Sequence, residues 1–459
     1  MSIDYICNMN KRVLLHIILF VLIFGCDNIK DEKQVPFEKL SSDITGINFS
    51  NIITPNIETS ENLFDYDYFY NGSGVGIADI NNDGLKDVLF TANQQMNRLF
   101  LNKGNLTFED ITELSNINTK NKEWSSGVTF ADVNNDGWLD IYISQGGPYD
   151  SNSRKNLLLI NNQDLTFTEK AEEYGLDDNG ISTQSAFFDF DKDGDLDCVV
   201  MNENEFYGYD PISFFKKYEN KSVLMENSSH LYEQKEGKFI NITEKAGLLS
   251  PTFGLGLCIS DINNDNWPDI YIANDYYVKD AMYINNQDGT FTNQIKKSTK
   301  QISFYGMGVD IEDINNDNLS DIFVLDMASS DHVRSKTLMA SMNTSNFDLI
   351  TNKLDQHYQY MFNSLQLNLG NDKYHNISHQ LNIAKTDWSW AGLIFDYNLD
   401  GNEDIFVTNG YRKYGSDNDS RIRINETRKE YNNKVPIEMK KRLYDELPSE
   451  KLPNLLYKN

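Results

Sequence analysis

Apolar and polar residues alternate in short runs along this chain, and the pattern restarts six times, each time leading into an aspartate. Two positions before that aspartate stands a large apolar residue: Ile77, Phe130, Phe187, Ile259, Ile311 or Ile394. Five and seven positions before it the residues are small: Gly74 with Gly72, Gly127 with Ser125, Gly256 with Gly254, Gly308 with Gly306, and Ala391 with Ser389. The third copy keeps Ser182 but has Gln184 in place of the second small residue. A period of two predicts a strand, and small residues on one face predict close approach by another backbone. Past an acidic nonapeptide comes a β-branched and aromatic run, such as Ile270-Tyr271-Ile272 or Ile405-Phe406-Val407, which predicts a second strand. Two further short segments follow, Leu99 to Asn102 with Thr107-Phe108, and Met282 to Asn285 with Gly289 to Phe291. Each repeat therefore reads as a four-stranded antiparallel unit.

The nonapeptides are DINNDGLKD (Asp79 to Asp87), DVNNDGWLD (Asp132 to Asp140), DFDKDGDLD (Asp189 to Asp197), DINNDNWPD (Asp261 to Asp269), DINNDNLSD (Asp313 to Asp321) and DYNLDGNED (Asp396 to Asp404). Oxygen side chains at alternate positions of a tight turn are how a loop wraps a hard cation such as Ca²⁺. Close carboxylates repel by about 4 kcal/mol per pair at an effective dielectric near 20, a penalty that a divalent ion removes. Position 6 is Gly or Asn, the residues that tolerate a left-handed turn. The loops are spaced 53, 57, 72, 52 and 83 residues apart. A four-stranded unit of roughly 50 residues, repeated, predicts an all-β chain folded as a β-propeller of four-stranded antiparallel blades. The flanking strands exclude an EF-hand, which needs helices on both sides and a Glu at position 12.

Net charge is −28 over 459 residues, which argues against nucleic acid or an anionic membrane surface as partner. The N-terminus carries Lys11 and Arg12 before the apolar run Val13 to Phe24, then Gly25 and Cys26, the order of an export signal. Met9 is a candidate start. Leu22-Ile23-Phe24-Gly25-Cys26 resembles a bacterial lipobox, so the expected division is 1–25 signal peptide, 26–36 lipoprotein linker with Cys26 lipidated, and 37–459 propeller. The expected location is the outer membrane of a Gram-negative bacterium, periplasmic or surface-exposed. Cys198 and Cys258 sit in apolar runs and read as core thiols; there is no disulfide framework.

The six loops, the Gly-x-Gly before them and the Asn-x-(Leu/Tyr)-x-Asn…Gly-x-x-Phe strand pair resemble FG-GAP/VCBS repeats, the units of the integrin α-subunit propeller, over about residues 40–410. Asp387-Trp388-Ser389-Trp390-Ala391 and Thr408-Asn409-Gly410-Tyr411 resemble bacterial relatives of cartilage acidic protein, without their C-terminal ASPIC-type domain. The resemblance implies up to six Ca²⁺, each held by side chains 1, 3, 5 and 9 and the carbonyl of residue 7. Those side chains are Asp79, Asn81, Asp83 and Asp87; Asp132, Asn134, Asp136 and Asp140; Asp189, Asp191, Asp193 and Asp197; Asp261, Asn263, Asp265 and Asp269; Asp313, Asn315, Asp317 and Asp321; and Asp396, Asn398, Asp400 and Asp404. Asn454 to Asn459 matches Asn97 to Asn102 as the start of a third strand. This predicts a seven-bladed ring with an incomplete last blade, or a closed ring in which an N-terminal segment such as Phe49 to Ile53 supplies strands.

In such a blade the metal loops all join first strand to second and share one rim. Connections from second strand to third share the other rim, and three of these are long: about 202–230, 326–363 and 410–454. Leu338, Met339 and Met342 have helical spacing within the second. Trp124, Phe253, Tyr305 and Trp388 recur eight residues before the first Asp on that same rim. They are either a ligand platform or packing between blades. His375 and His379 lack the Glu of a zinc-protease motif and lie in strand or turn sequence, and no nucleophile elbow or phosphate loop occurs. The expected function is non-enzymatic: a calcium-stabilised, lipid-anchored surface protein binding a protein or glycan by the rim opposite its loops. The alternatives are a polysaccharide-active enzyme on a propeller scaffold and a structural accessory subunit of an outer-membrane complex.

Overall fold

The computed structural model describes residues 38–118, 124–338 and 344–459. The export segment with Cys26 lies outside them, as do Met339 and Met342. The chain divides into residues 1–40 and 41–459. In the first unit, residues 38–40 carry no helix or strand. The second unit is all-β in its framework.

Five sheets of four strands follow the chain in order and pair antiparallel throughout. The first comprises Val75–Ala78, Asp87–Phe90, Arg98–Asn102 and Phe108–Asp110; the second Ser125–Ala131, Asp140–Gln145, Leu157–Asn161 and Phe167–Glu169. The third runs Ser182–Phe188, Asp197–Asn202, His230–Lys235 and Lys238–Asn241, and the fourth Gly254–Ser260, Asp269–Asn274, Ala281–Asn285 and Phe291–Asn293. The fifth is Val309–Glu312, Asp321–Val324, Ser364–Asn368 and Tyr374–Asn376. In the sixth, Asp387–Phe395, Asp404–Asn409 and Leu455–Tyr457 hold the first three places of the repeat, and the short strand Met327–Ala328 adds beside the first. Leu455–Tyr457 thus forms the third strand expected from its sequence, paired to Ile405–Val407. Phe49 to Ile53 forms no strand; Phe49 stacks on Phe90 at 5.0 Å instead.

The first strands of consecutive sheets lie side by side, and residues from all six line one axial cavity: Gly74, Ser126, Thr183, Leu255, Met307 and Trp390. This is the blade order of a propeller. The small residues are what let the inner strands approach. A Cβ on Gly127 would stand 2.6 Å from the Thr183 carbonyl oxygen, and one on Gly308 2.3 Å from that of Trp390.

The sheets pack face to face through five apolar clusters, one for each consecutive pair. The residue two before the first Asp points toward the preceding blade, so Ile311 is 5 % exposed against blade four. In blade one the same position, Ile77, is 65 % exposed, and on the opposite face of blade six Leu393 is 48 % exposed. Cys198 is buried, Cys258 is half-buried, and both thiols are free. His375 lies in a strand and His379 packs in a turn against Phe362.

Candidate functional site

Each acidic loop is a wrapped turn built from its own side chains. The position-1 carboxylate accepts the N–H of residue 6 in every copy, as in Gly84 to Asp79 (2.8 Å) and Asn318 to Asp313 (2.6 Å). The position-5 carboxylate accepts the N–H of residue 7, as in Leu85 to Asp83 (2.8 Å). Positions 4 and 6 are both left-handed, for example Asn82 at φ 58° and Gly84 at φ 87°. Asn at position 4 of four loops was the readable signal for the first of these.

Position 9 does a different task. Asp87 is buried and accepts the N–H of Ile80 (3.0 Å) and of Asn102 on the third strand (2.8 Å). Asp140, Asp197, Asp269 and Asp321 repeat this pair of bonds. The ninth residue therefore pins loop to sheet.

The loops meet one another around the rim. The Asn82 amide donates to the Gly137 carbonyl (3.0 Å), Asn264 to Asn318 (2.7 Å) and Asn316 to Gly401 (3.3 Å).

The third loop is the richest in charge, with carboxylates at positions 1, 3, 5, 7 and 9. Ligand atoms of Asp189, Asp191 and Asp197 converge within 4.8 Å of one another. Asp189 Oδ1 is buried without a hydrogen-bond partner, as is Asn398 Oδ1 in the sixth loop. An uncompensated buried carboxylate oxygen is costly, and a hard cation between positions 1, 3 and 9 would satisfy it; the donor set, all oxygen, fits Ca²⁺. In loops one, two, four and five the position-3 Asn amide donates instead to the position-5 carboxylate. In the sixth, Lys458 pairs with Asp400 at 2.8 Å.

The opposite rim carries the long connections, and all three contain helices: Pro211–Lys217 and Lys221–Glu226 in the first, Arg334–Thr337 and Thr344–Asp348 with the π-helical turn Leu349–Lys353 in the second, and α1 (Asn418–Glu430) and α2 (Ile437–Asp445) in the third. Asp417 caps α1 by accepting from Ser420 N–H (2.8 Å).

Across this rim runs the segment Asn62–Asn71, whose aromatic side chains form the middle of a sixth apolar cluster. Its polar atoms tie it to several blades. The Tyr66 hydroxyl donates to Glu203 (3.0 Å), the Tyr68 hydroxyl to Asp275 (3.0 Å), and the Asn71 amide to Glu203 (3.0 Å). The Tyr276 hydroxyl donates in turn to Asp67 (2.7 Å), and the Tyr411 hydroxyl to the Asp67 carbonyl (3.1 Å). Burial pushes the Glu203 carboxyl up to about 8 and that of Asp275 up to about 7. The sequence reading missed this segment, although Phe64-Asp65-Tyr66-Asp67-Tyr68-Phe69-Tyr70 is the densest aromatic run in the chain.

Trp124 and Phe253, 4 % and 1 % exposed, are packed into that cluster. Trp388 is buried too, stacked on Tyr411 at 4.5 Å, while Tyr305 is half-buried. Trp388 and Tyr305 line a cavity of about 480 Å³ on this rim, together with Asp67, Asp275, Trp390 and, from α1, Arg421 and Arg428. The arginines were not singled out from sequence; their signal is the seven-residue spacing, which puts both on one helix face.

Among the described residues no helix is long and apolar enough to cross a membrane. In comparison with known proteins, 170 residues are 29 % identical to cartilage acidic protein 1 of Xenopus tropicalis, a match covering 36 % of this chain and 25 % of that protein. An Agrocybe aegerita lectin described as recognising non-reducing terminal N-acetylglucosamine superposes with TM-score 0.39 at 14 % identity, over 72 % of this chain and 73 % of its own. The V. cholerae biofilm matrix protein Bap1 gives TM-score 0.33 at 13 % identity, over 56 % of this chain and 35 % of its own. Residues 70–143 and 261–324, which span the first, second, fourth and fifth acidic loops, match the FG-GAP-like repeat family, so the chain carries FG-GAP-like repeats.

Proposed function

We propose that this protein is a non-enzymatic binding module of the cell surface, whose acidic loops take Ca²⁺ for stability and whose opposite rim takes a protein or glycan. The observation that carries the reading is the cavity of about 480 Å³ on that rim. It is within the size range of ligand sites, mixes aromatic with charged lining, and combines residues of the long connections, above all 410–454, with the segment Asn62–Asn71 on a rigid scaffold. The loops are less suited to a macromolecular partner, since their carboxylates are turned inward on their own backbone N–H groups. An N-terminal lipid on Cys26 would hold the propeller at the outer membrane.

The test is a screen of the calcium-loaded protein against arrays of glycans and extracellular proteins, with product release followed in parallel. Binding that is lost in Trp390→Ala and kept in Asp313→Asn supports the reading. Binding lost in the loop variant while its melting temperature is unchanged puts the ligand on the calcium rim. Release of a cleaved glycan makes the protein an enzyme.

A further inference from the structure

The cavity on the rim opposite the loops has a cationic wall. Helix α1 presents Arg421 and Arg428 to it, and neither guanidinium forms an ion pair or hydrogen bond among the described residues. The connection that carries them, residues 410–454, holds eleven basic and eight acidic residues in a chain of net charge −28. A positive stretch in so acidic a chain is a local choice of residue types rather than a consequence of overall composition, and it lies over the cavity.

The remaining walls are aromatic and hydrogen-bonding. Tyr277, Tyr305 and Trp390 are half-buried, so each leaves part of its ring open to the cavity. The hydroxyls of Tyr277 and Tyr305 have no hydrogen-bond partner among the described residues, and Asn71 Oδ1 is buried without one. Asp67 and Asp275, also in the lining, accept hydrogen bonds from the hydroxyls of Tyr276 and Tyr68. Arg428 faces the Asp67 carboxylate and Arg421 the hydroxyls of Tyr277 and Tyr305, all beyond ion-pair or hydrogen-bond distance, so the groups without a direct partner are two guanidiniums, flat ring faces and neutral hydroxyl and amide atoms.

We propose that this cavity binds an acidic saccharide unit, its carboxylate or sulfate held by Arg421 and Arg428 and its ring laid against Tyr305 or Trp390. The planar guanidinium matches a carboxylate or sulfate bidentately. Aromatic faces accept the C–H face of a pyranose, and the free hydroxyls and the Asn71 oxygen suit its hydroxyl groups. A neutral sugar would leave both arginines unused. An acidic peptide would need an extended groove, whereas a cavity of about 480 Å³ has the size of a small-ligand site. The inference rests on the reading that this rim is the binding face and adds the ligand's chemistry.

The experiment uses the full chain with calcium and titration calorimetry with four probes: an oligogalacturonate, the same oligomer as its methyl ester, a sulfated heparin-type oligosaccharide, and a polyaspartate peptide. Expected is binding of at least one anionic probe that weakens tenfold or more in Arg421→Gln/Arg428→Gln and falls with rising salt. The methyl ester should bind weakly and equally to both proteins. Arg428→Lys, which keeps the charge but not the planar fork, should recover part of the loss, and an unchanged melting temperature separates binding from folding. Equal affinity for acid and ester overturns the acidic assignment while leaving glycan binding by this rim intact. No binding of either anionic probe, or equal binding of a polyaspartate peptide, overturns the saccharide assignment. If an anionic probe binds but neither the arginine pair nor Trp390→Ala alters it, the choice of rim fails as well.

Discussion

The hydroxyl of Tyr66, in the segment that crosses the rim, donates a hydrogen bond of 3.0 Å to the buried carboxyl of Glu203 at the end of the third blade's second strand. Burial raises that carboxyl from 4.5 to about 8. The folded state therefore holds a proton that the unfolded chain releases near pH 4.5. The associated stability is complete below that value and drains away as pH rises toward 8, at about 1.4 kcal/mol per pH unit. In Glu203→Gln the side chain imitates the protonated acid. Its stability by chemical denaturation should match the parent near pH 5 and exceed it above pH 8. Asp275, Asp280 and Asp326 are also raised by burial and remain in both proteins, while the Asp275 charge adds to the rise at Glu203, so the difference curve reports Glu203 together with its coupling to Asp275. Parallel curves from pH 5 to 8.5 would show that Glu203 is ionised in the fold.

Ile77 and Ile311 occupy the same position of the repeat but are 65 % and 5 % exposed. Lysine at Ile311 would put an unpaired charge between the fourth and fifth blades, which costs about 3 kcal/mol or more. Lysine at Ile77 touches no such core. The expected result is a melting temperature unchanged in Ile77→Lys and lowered by many degrees, or no folded protein, in Ile311→Lys. A comparable loss in both would mean that Ile77 is covered in solution.

The division between what was and was not readable follows these two positions. The period-two pattern located the first and second strands because side chains there alternate between adjoining blades, and the nonapeptides marked each turn between them. Even Leu455–Tyr457 was visible, since its pairing to Ile405–Val407 repeats a motif seen in earlier blades. The opposite rim was not. Its helices and the segment Asn62–Asn71 follow no repeat, and their contacts reach across long sequence separations, as from Tyr66 to Glu203. For the same reason Trp124 and Phe253 were placed on the right rim, while only their partners decided that they pack inward. Arg421 and Arg428 were not legible as site residues because a charged helix face usually meets solvent, and only the fold brings a cavity beneath it.

The glycines of the inner strands should tolerate nothing larger. In Gly308→Ala the new methyl carbon would meet the Trp390 carbonyl oxygen at 2.3 Å, and the atom it meets is backbone that cannot swing away. Blades five and six would have to part, at a cost of about 1–3 kcal/mol typical of overpacking. Gly84→Ala, where a Cβ meets nothing within 4 Å but φ is 87°, tests a different term, the strain of a left-handed alanine. Gly308→Ala is expected to lose the more stability in urea melts. The reverse order would mean that backbone conformation, and not the close approach of strands, is what these glycines serve.

Asp189 offers the sharpest test of the loops, since its Oδ1 is a buried oxygen without a partner and its carboxylate converges with those of Asp191 and Asp197. With affinities of about 10⁻⁴–10⁻³ M and roughly 1 mM free ion, each occupied loop adds about 0.4–1.4 kcal/mol, and six together roughly 2–8 kcal/mol. Excess chelator should therefore lower the melting temperature markedly, and calcium should restore it while magnesium, which demands tighter octahedral geometry, does so less well. In Asp189→Asn the third loop loses one of its three convergent carboxylates, so the calcium stoichiometry by titration should fall by one and the calcium-dependent rise in melting temperature should shrink. The sixth loop, whose Asp400 is paired with Lys458, should fill last and should gain affinity in Lys458→Gln. Identical melts with and without chelator would mean that the backbone hydrogen bonds at positions 1, 5 and 9 hold these turns without an ion.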